Sequence, residues 1–179
     1  NFGPDIFNCY SGTISNATVL NNHASDEIKE RYLKPLLAGE SRSCISITER
    51  AIPSSDPTDL KFEIRRDGDD YVLNGVKSWA TGAVMDECDL ILVLGATNPD
   101  AARHERHSLV CVPKNTPGLT VGRIETVMGY DDAPFGHDVC LLVGIRGNDC
   151  PRWVSRSRRR PGPPRCRTPP RPRRRSRGW

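Results

Sequence analysis

Aromatic residues are scarce in this chain, at 6% of 179 residues, with three tryptophans, four tyrosines and four phenylalanines. With few rings to fill a core, aliphatic side chains must do most of the packing, and each strand-borne tryptophan calls for a reason. Histidine numbers only four, and no Ser-His-Asp or Cys-His set can be assembled from them. The seven cysteines are odd in number, form no Cys-x-x-Cys pair and sit mostly in apolar runs such as "SLVCVP" and "DVCLLVG". This argues against a disulfide framework or a zinc site and for a reducing compartment, with the cytoplasm as default. No apolar run reaches membrane length, so no membrane partner is expected. There is no Gly-x-Gly-x-x-Gly after a strand and no Gly-x4-Gly-Lys-Ser/Thr loop, which removes the usual signals of a parallel nucleotide-binding sheet.

Acidic residues are missing from one place in particular. Residues 151–179 hold 12 arginines, seven prolines and no Asp or Glu, so the last 29 residues carry +12 and the first 150 carry −8 behind a net charge of +4. Such a segment has almost nothing to bury and is expected to be disordered on its own.

What remains has a clear order. In "NHASDEIKERYLKPLLAGE", Ser25 is expected to cap a helix with Asp26 and Glu27 in its first turn; Ile28, Leu33, Leu36 and Leu37 form an apolar stripe, Gly39 ends it, and Pro35 kinks it or shortens it to a final separate turn. From Ser43 to about Glu125 the pattern turns to β. "CISITE", "KFEIRR", "YVLNG", "CDLILVLGAT", "HSLVCVP" and "GLTVGRIE" are short runs between turn signals, with turns expected at "DGDD" (residues 67–70) and at Asn74-Gly75. The fold class read from this is α+β: a short helical segment followed by an antiparallel β-barrel, with a disordered Arg/Pro-rich tail. The expected divisions are residues 1–40 (helical), 41–143 (β) and 144–179 (tail).

Single residues say little. On strict strand alternation Trp79 and Thr81 share a face, but a lone strand tryptophan is usually packing, and Ser54 and Ser55 alone read as turn residues. His104 and His107 read as solvated, and His137 as isolated. The order of the motifs is more specific. "SRSCISITERAIPSSDPTD" resembles the flavin-contacting strand and loop of the acyl-CoA dehydrogenase family, and "YVLNGVKSWATGA" resembles its Asn-Gly-x-Lys-x-Trp-x-Thr segment. "SSDPT", "RHERHS", "VPKNTPG" and "GYDDAPFGH" are similar to one subgroup.

The resemblance implies a helical amino-terminal domain, a central β-barrel and a carboxy-terminal helical bundle, with FAD between barrel, bundle and subunits. By that resemblance Trp79, Ala80 and Thr81 contact FAD, Trp79 by its ring and Thr81 near flavin N5. Ile45, Ile47 and Thr48 bring backbone and one hydroxyl to the pyrimidine side, and Ser54 and Ser55 meet the acyl-CoA substrate. It also implies an electron-transfer flavoprotein or similar acceptor as partner, and a homo-oligomer. No residue here is assigned as the catalytic base; Glu49 belongs to the flavin strand.

Two departures stand out. Arg50 takes the place of the proline that follows Thr-Glu in the family, and after "GHDVCLLVG" the chain turns Arg- and Pro-rich where the family continues into helices. The reading is a frameshift between Cys140 and Asn148, leaving a polypeptide that holds FAD weakly or not at all and has no turnover. The rival reading is a nucleic-acid-binding arm with Trp153 and Trp179 as stacking groups; nucleic acid otherwise binds the tail only non-specifically.

Overall fold

The computed structural model describes residues 11–68, 70–131 and 136–146. The basic tail expected to be disordered lies outside them.

Helix α1 spans Ser11–His23. Its Ser, Thr and Asn content gives it poor intrinsic propensity, and it forms because Ala17 and Leu20 bury against the rest of the protein. Asn16 Nδ2 also donates to Ser43 Oγ at 3.0 Å, tying the helix to the first strand. Helix α2 (Asp26–Ile28) begins at Ser25, whose hydroxyl accepts from Ile28 N, as expected of a cap. It runs through a π-helical turn (Lys29–Leu33) into α3 (Lys34–Ala38). That turn resolves the Pro35 problem. A proline has no N–H to give, and the widened turn takes up the mismatch so the chain continues instead of breaking. Gly39 then terminates α3 at φ 78°, in the left-handed region. Ile28, Tyr32, Leu33 and Leu36 are buried, whereas Leu37 is 67% exposed and does not belong to the apolar stripe.

Seven strands follow: β1 (Arg42–Ser46), β2 (Glu63–Asp67), β3 (Asp70–Thr81), β4 (Cys88–Ala96), β5 (His107–Pro113), β6 (Leu119–Ile124) and β7 (His137–Arg146). The sheet order is β1-β4-β2-β3-β7-β6, with β5 also on β4. Two expectations need correction. The sheet is mixed, since β1 and β2 both pair with β4 in parallel, and among the described residues the two ends of the order do not pair, so the barrel is not closed. Strand β7 ends at Arg146.

Strand β4 explains why the layers stack as they do. Ile91 and Val93 enter one core with Phe62, Ile64, Leu73, Val110, Val112 and Ile145, while Leu90 and Leu92 enter the other with Leu20, Ile28, Leu33 and Leu36. A strand covered on both faces reads as a continuous apolar run, which is what "LILVL" is.

Asn74-Gly75 makes no turn. β3 runs straight through it, and the reversal is at Asp67 to Asp70, with Gly68 at φ 62°. The glycine serves packing instead: at φ 145°, a Cβ on Gly75 would lie 2.8 Å from the Phe62 ring.

Candidate functional site

The site grows from a buried ion pair. Lys77 Nζ is fully buried, donates to Glu49 Oε1 at 2.9 Å and to the Ile47 carbonyl at 2.8 Å, and lies 4.7 Å from the Phe62 ring centroid. The two Glu49 carboxylate oxygens also accept from the backbone N–H groups of Lys61 and Phe62. Burial by itself would raise the Glu49 carboxyl, but the Lys77 bond, the two backbone bonds and the Lys77 charge together hold it below its ordinary value. Burial pushes the Lys77 amine down despite Glu49. Ser78 N adds a bond to the Thr48 carbonyl at 3.0 Å. The segment after β1 is thereby fastened along β3, with Ile47 and Thr48 held to Lys77 and Ser78, the two residues before Trp79.

At that point β3 breaks its alternation. Against β7, Lys77 pairs with Cys140 and Ala80 with Asp138, so β3 carries one extra residue between them. Trp79 occupies the bulge with φ 61°, a conformation a bulky side chain rarely takes. Plain alternation would point Trp79 inward with Lys77. The bulge instead leaves it 44% exposed and returns Ala80 to the core. Thr81 Oγ1 lies 2.7 Å from His137 Nδ1, and the Trp79 and His137 ring centroids are 5.6 Å apart at 57°. Trp79 and Thr81 thus meet at one imidazole, through a bulge rather than by the alternation from which a shared face was inferred. His137 is not isolated. It escaped sequence reading because its partners lie 56 and 58 residues away, and "GYDDAPFGH" carries no local sign of them.

Other singled-out residues take different places. Ile45 packs its side chain against the helical core, and the carbonyls of Ile47 and Thr48 are engaged by Lys77 and Ser78. Ser54 accepts from Glu49 N at 2.8 Å and donates toward the Glu49 and Ile52 carbonyls, closing the loop. Ser55 is exposed beside it. Arg50, in the proline's place, pairs with Glu125 at 2.5 Å. Asp56 accepts from Thr58 N and Thr58 Oγ1 and pairs with Arg103, whose Nε donates to Thr58 Oγ1, so "SSDPT" and "RHERHS" are halves of one cluster. His107 Nε2 donates to the Leu60 carbonyl, while His104 is exposed. An open hollow of about 490 Å³ lies between Thr58, Lys61, Ala96, Arg106 and His107, and neither Trp79, Thr81 nor His137 lines it. Cys44, Cys88 and Cys111 are buried and in no disulfide among the described residues, and no cluster of metal ligands occurs among those residues. No helix among those residues is long and apolar enough to cross a membrane.

A half-exposed indole, a hydroxyl and an imidazole on one rim suit a planar ring with an apolar face and a polar edge. The Ser78 hydroxyl next to Trp79 is buried with no hydrogen-bond partner among the described residues, a polar group left over by the fold. These residues fit a flavin.

A short helical segment packed on a mixed β-sheet places the chain in the α+β class. Residues 44–140 match the family described as acyl-CoA dehydrogenase, middle domain. The chain is 44% identical over 132 residues to human acyl-CoA dehydrogenase family member 11, covering 73% of this chain and 17% of that one. It is 42% identical to a solved Mycobacterium abscessus protein assigned to the acyl-CoA dehydrogenases, at TM-score 0.79, covering 81% of this chain and 36% of that one. A Mycobacterium smegmatis glutaryl-CoA dehydrogenase solved in complex with FADH2 is 27% identical at TM-score 0.62, over 73% of this chain and 31% of that one. The chain belongs to the acyl-CoA dehydrogenase family. It spans about a sixth of the human relative and about a third of the solved ones.

Proposed function

We propose that this chain supplies one wall of the FAD site of an acyl-CoA dehydrogenase, an enzyme that removes hydrogens from Cα and Cβ of an acyl-CoA thioester. The observation that carries the reading is the bulge that drives Trp79 outward beside Thr81 and His137. Trp79 offers its face to the ring, with Ala80 backbone and the Thr81 hydroxyl at the polar edge. Thr48 and the backbone around Ile45 and Ile47 lie toward the pyrimidine side. FAD, when bound, supplies the hydride acceptor. Ser55 is the group on the loop open to acyl-CoA, with Ser54 holding the loop's shape. The FADH2 complex of the glutaryl-CoA dehydrogenase relative supports the cofactor.

No residue of this chain is assigned as the base that takes the Cα proton. Glu49, the nearest by sequence, is committed to Lys77 and two backbone amides. The proton-abstracting base therefore comes from outside these residues, electrons pass to an acceptor such as an electron-transfer flavoprotein, and the working enzyme is a homo-oligomer in a reducing, cytoplasmic setting. Residues 1–40, 41–143 and 144–179 act as helical cover, flavin wall and basic tail. The tail contributes only salt-sensitive, sequence-independent contact with nucleic acid.

The test is an FAD titration of the full chain followed by amide chemical shifts, with a dye-reduction assay beside it. Expected are weak, saturable binding, about tenfold or more weaker binding in Trp79→Ala because the ring's apolar contact is gone, and no turnover in any variant. Unchanged binding in Trp79→Ala, or robust turnover by the chain alone, contradicts the reading.

A further inference from the structure

We propose that His137 is a positioning residue for the ligand edge of this site: its Nδ1 fixes the direction of the single Thr81 hydroxyl proton. The inference rests on the reading that Trp79 and Thr81 face a flavin. His137 and Thr81 are register partners across β3 and β7, with Oγ1 and Nδ1 2.7 Å apart. The imidazole is held in place by its backbone. The His137 carbonyl accepts from Glu125 N at 2.6 Å, and the adjacent Gly136 carbonyl accepts from Gly82 N at 3.2 Å.

A hydroxyl has one proton and room to accept two more. With a proton on Nδ1, the imidazole donates to Thr81 Oγ1 and the Thr81 proton turns toward the ligand. With Nδ1 bare, it takes the Thr81 proton, and the hydroxyl presents only an acceptor. The tautomer of His137 therefore sets the polarity of Thr81. A flavin edge accepts at N5 when oxidised and donates there when reduced. The tautomer with a proton on Nδ1 matches the oxidised edge, and the tautomer with Nδ1 bare matches the reduced one, at the same net charge.

The test uses the full chain with nitrogen-15 label. Without flavin, the imidazole nitrogen shifts of His137 are expected to show one tautomer in the wild type and a mixture in Thr81→Val. A wild-type ring already averaged, and unchanged by Thr81→Val, overturns the proposal. FAD is then titrated. His137→Phe keeps a ring beside Trp79 without a nitrogen and is expected to bind about fivefold to tenfold more weakly, the loss of one hydrogen bond. His137→Asn places an amide where Nδ1 stands and is expected to restore binding to within about twofold. Melting midpoints confirm that each variant is folded. Equal weakening by both substitutions, or by neither, overturns the proposal. Unchanged binding in Trp79→Ala sinks the flavin reading itself, whereas binding lost there but intact in His137→Phe sinks only the role of His137. Should the wild type take up no FAD, the flavin reading falls, and the tautomer spectrum alone decides whether His137 orients Thr81.

Discussion

Trp79 combines two features that stability alone would not select, a positive φ and a half-exposed indole. The left-handed conformation costs a bulky residue about 1–2 kcal/mol, and the exposed ring returns little beyond its contact with His137. Replacing it with glycine relieves the backbone, removes one ring contact and loosens the unfolded chain by about 0.5–1 kcal/mol. These terms nearly cancel, so Trp79→Gly is expected to change unfolding stability by no more than about 1 kcal/mol in urea titrations while losing FAD binding. A loss above about 3 kcal/mol would mark Trp79 as an ordinary core residue. The motif makes Trp79 and Thr81 legible in the sequence. The bulge is not legible, because it arises from the β3–β7 register, a property of two segments far apart.

At the scale of elements, the Glu49–Lys77 pair clamps the tail of β1 to the start of β2 and the middle of β3. Because the folded carboxyl lies below its ordinary value of 4.5, the unfolded chain binds more protons as pH falls. The clamp's contribution is whole above about pH 4.5 and is lost as pH drops through the folded value. The lowered Lys77 amine acts in the same direction at the alkaline end: between its folded value and 10.5, raising pH adds stability by relieving the penalty of burying its charge. Glu49→Gln is expected to cost about 3 kcal/mol or more at neutral pH, with most of it recovered in Glu49→Gln/Lys77→Met, since the unpaired buried ammonium is the larger penalty. Urea midpoints between pH 7 and pH 3 check both points: the wild type should lose stability below pH 4.5 more steeply than the double variant. Parallel pH profiles would show that the pair contributes nothing there.

The elements differ in how far they can be read from sequence. β4 and β5 are plain because long apolar runs admit few alternatives, and Ser25 and Gly39 mark helix ends by their own chemistry. Helix α1 is hidden because tertiary burial of Leu20 outweighs its composition. Asn74-Gly75 misleads because the glycine answers to the Phe62 ring, a contact that mimics a turn signal in sequence.

For the whole molecule, the described sheet is open, with β6 at one end of the order and β1 and β5 beside β4 at the other. Trp79, Thr81 and His137 meet on its surface, the rim proposed above as one wall of the FAD site. That agrees with a chain spanning about a third of its solved relatives, in which most of each protein lies beyond the matched region. Family membership was legible because ordered motifs carry it. That the described sheet stays open was not, because closure depends on pairing between strands at the two ends of the sheet, which short periodic runs do not encode.

The claim that an indole and a hydroxyl on this rim hold a flavin is tested most directly by intermolecular NOEs between the full chain and FAD. Cross-peaks from the isoalloxazine protons to the Trp79 indole and the Thr81 methyl are the predicted result. Cross-peaks confined to the hollow at Lys61, Arg106 and His107, with none at Trp79, would contradict it.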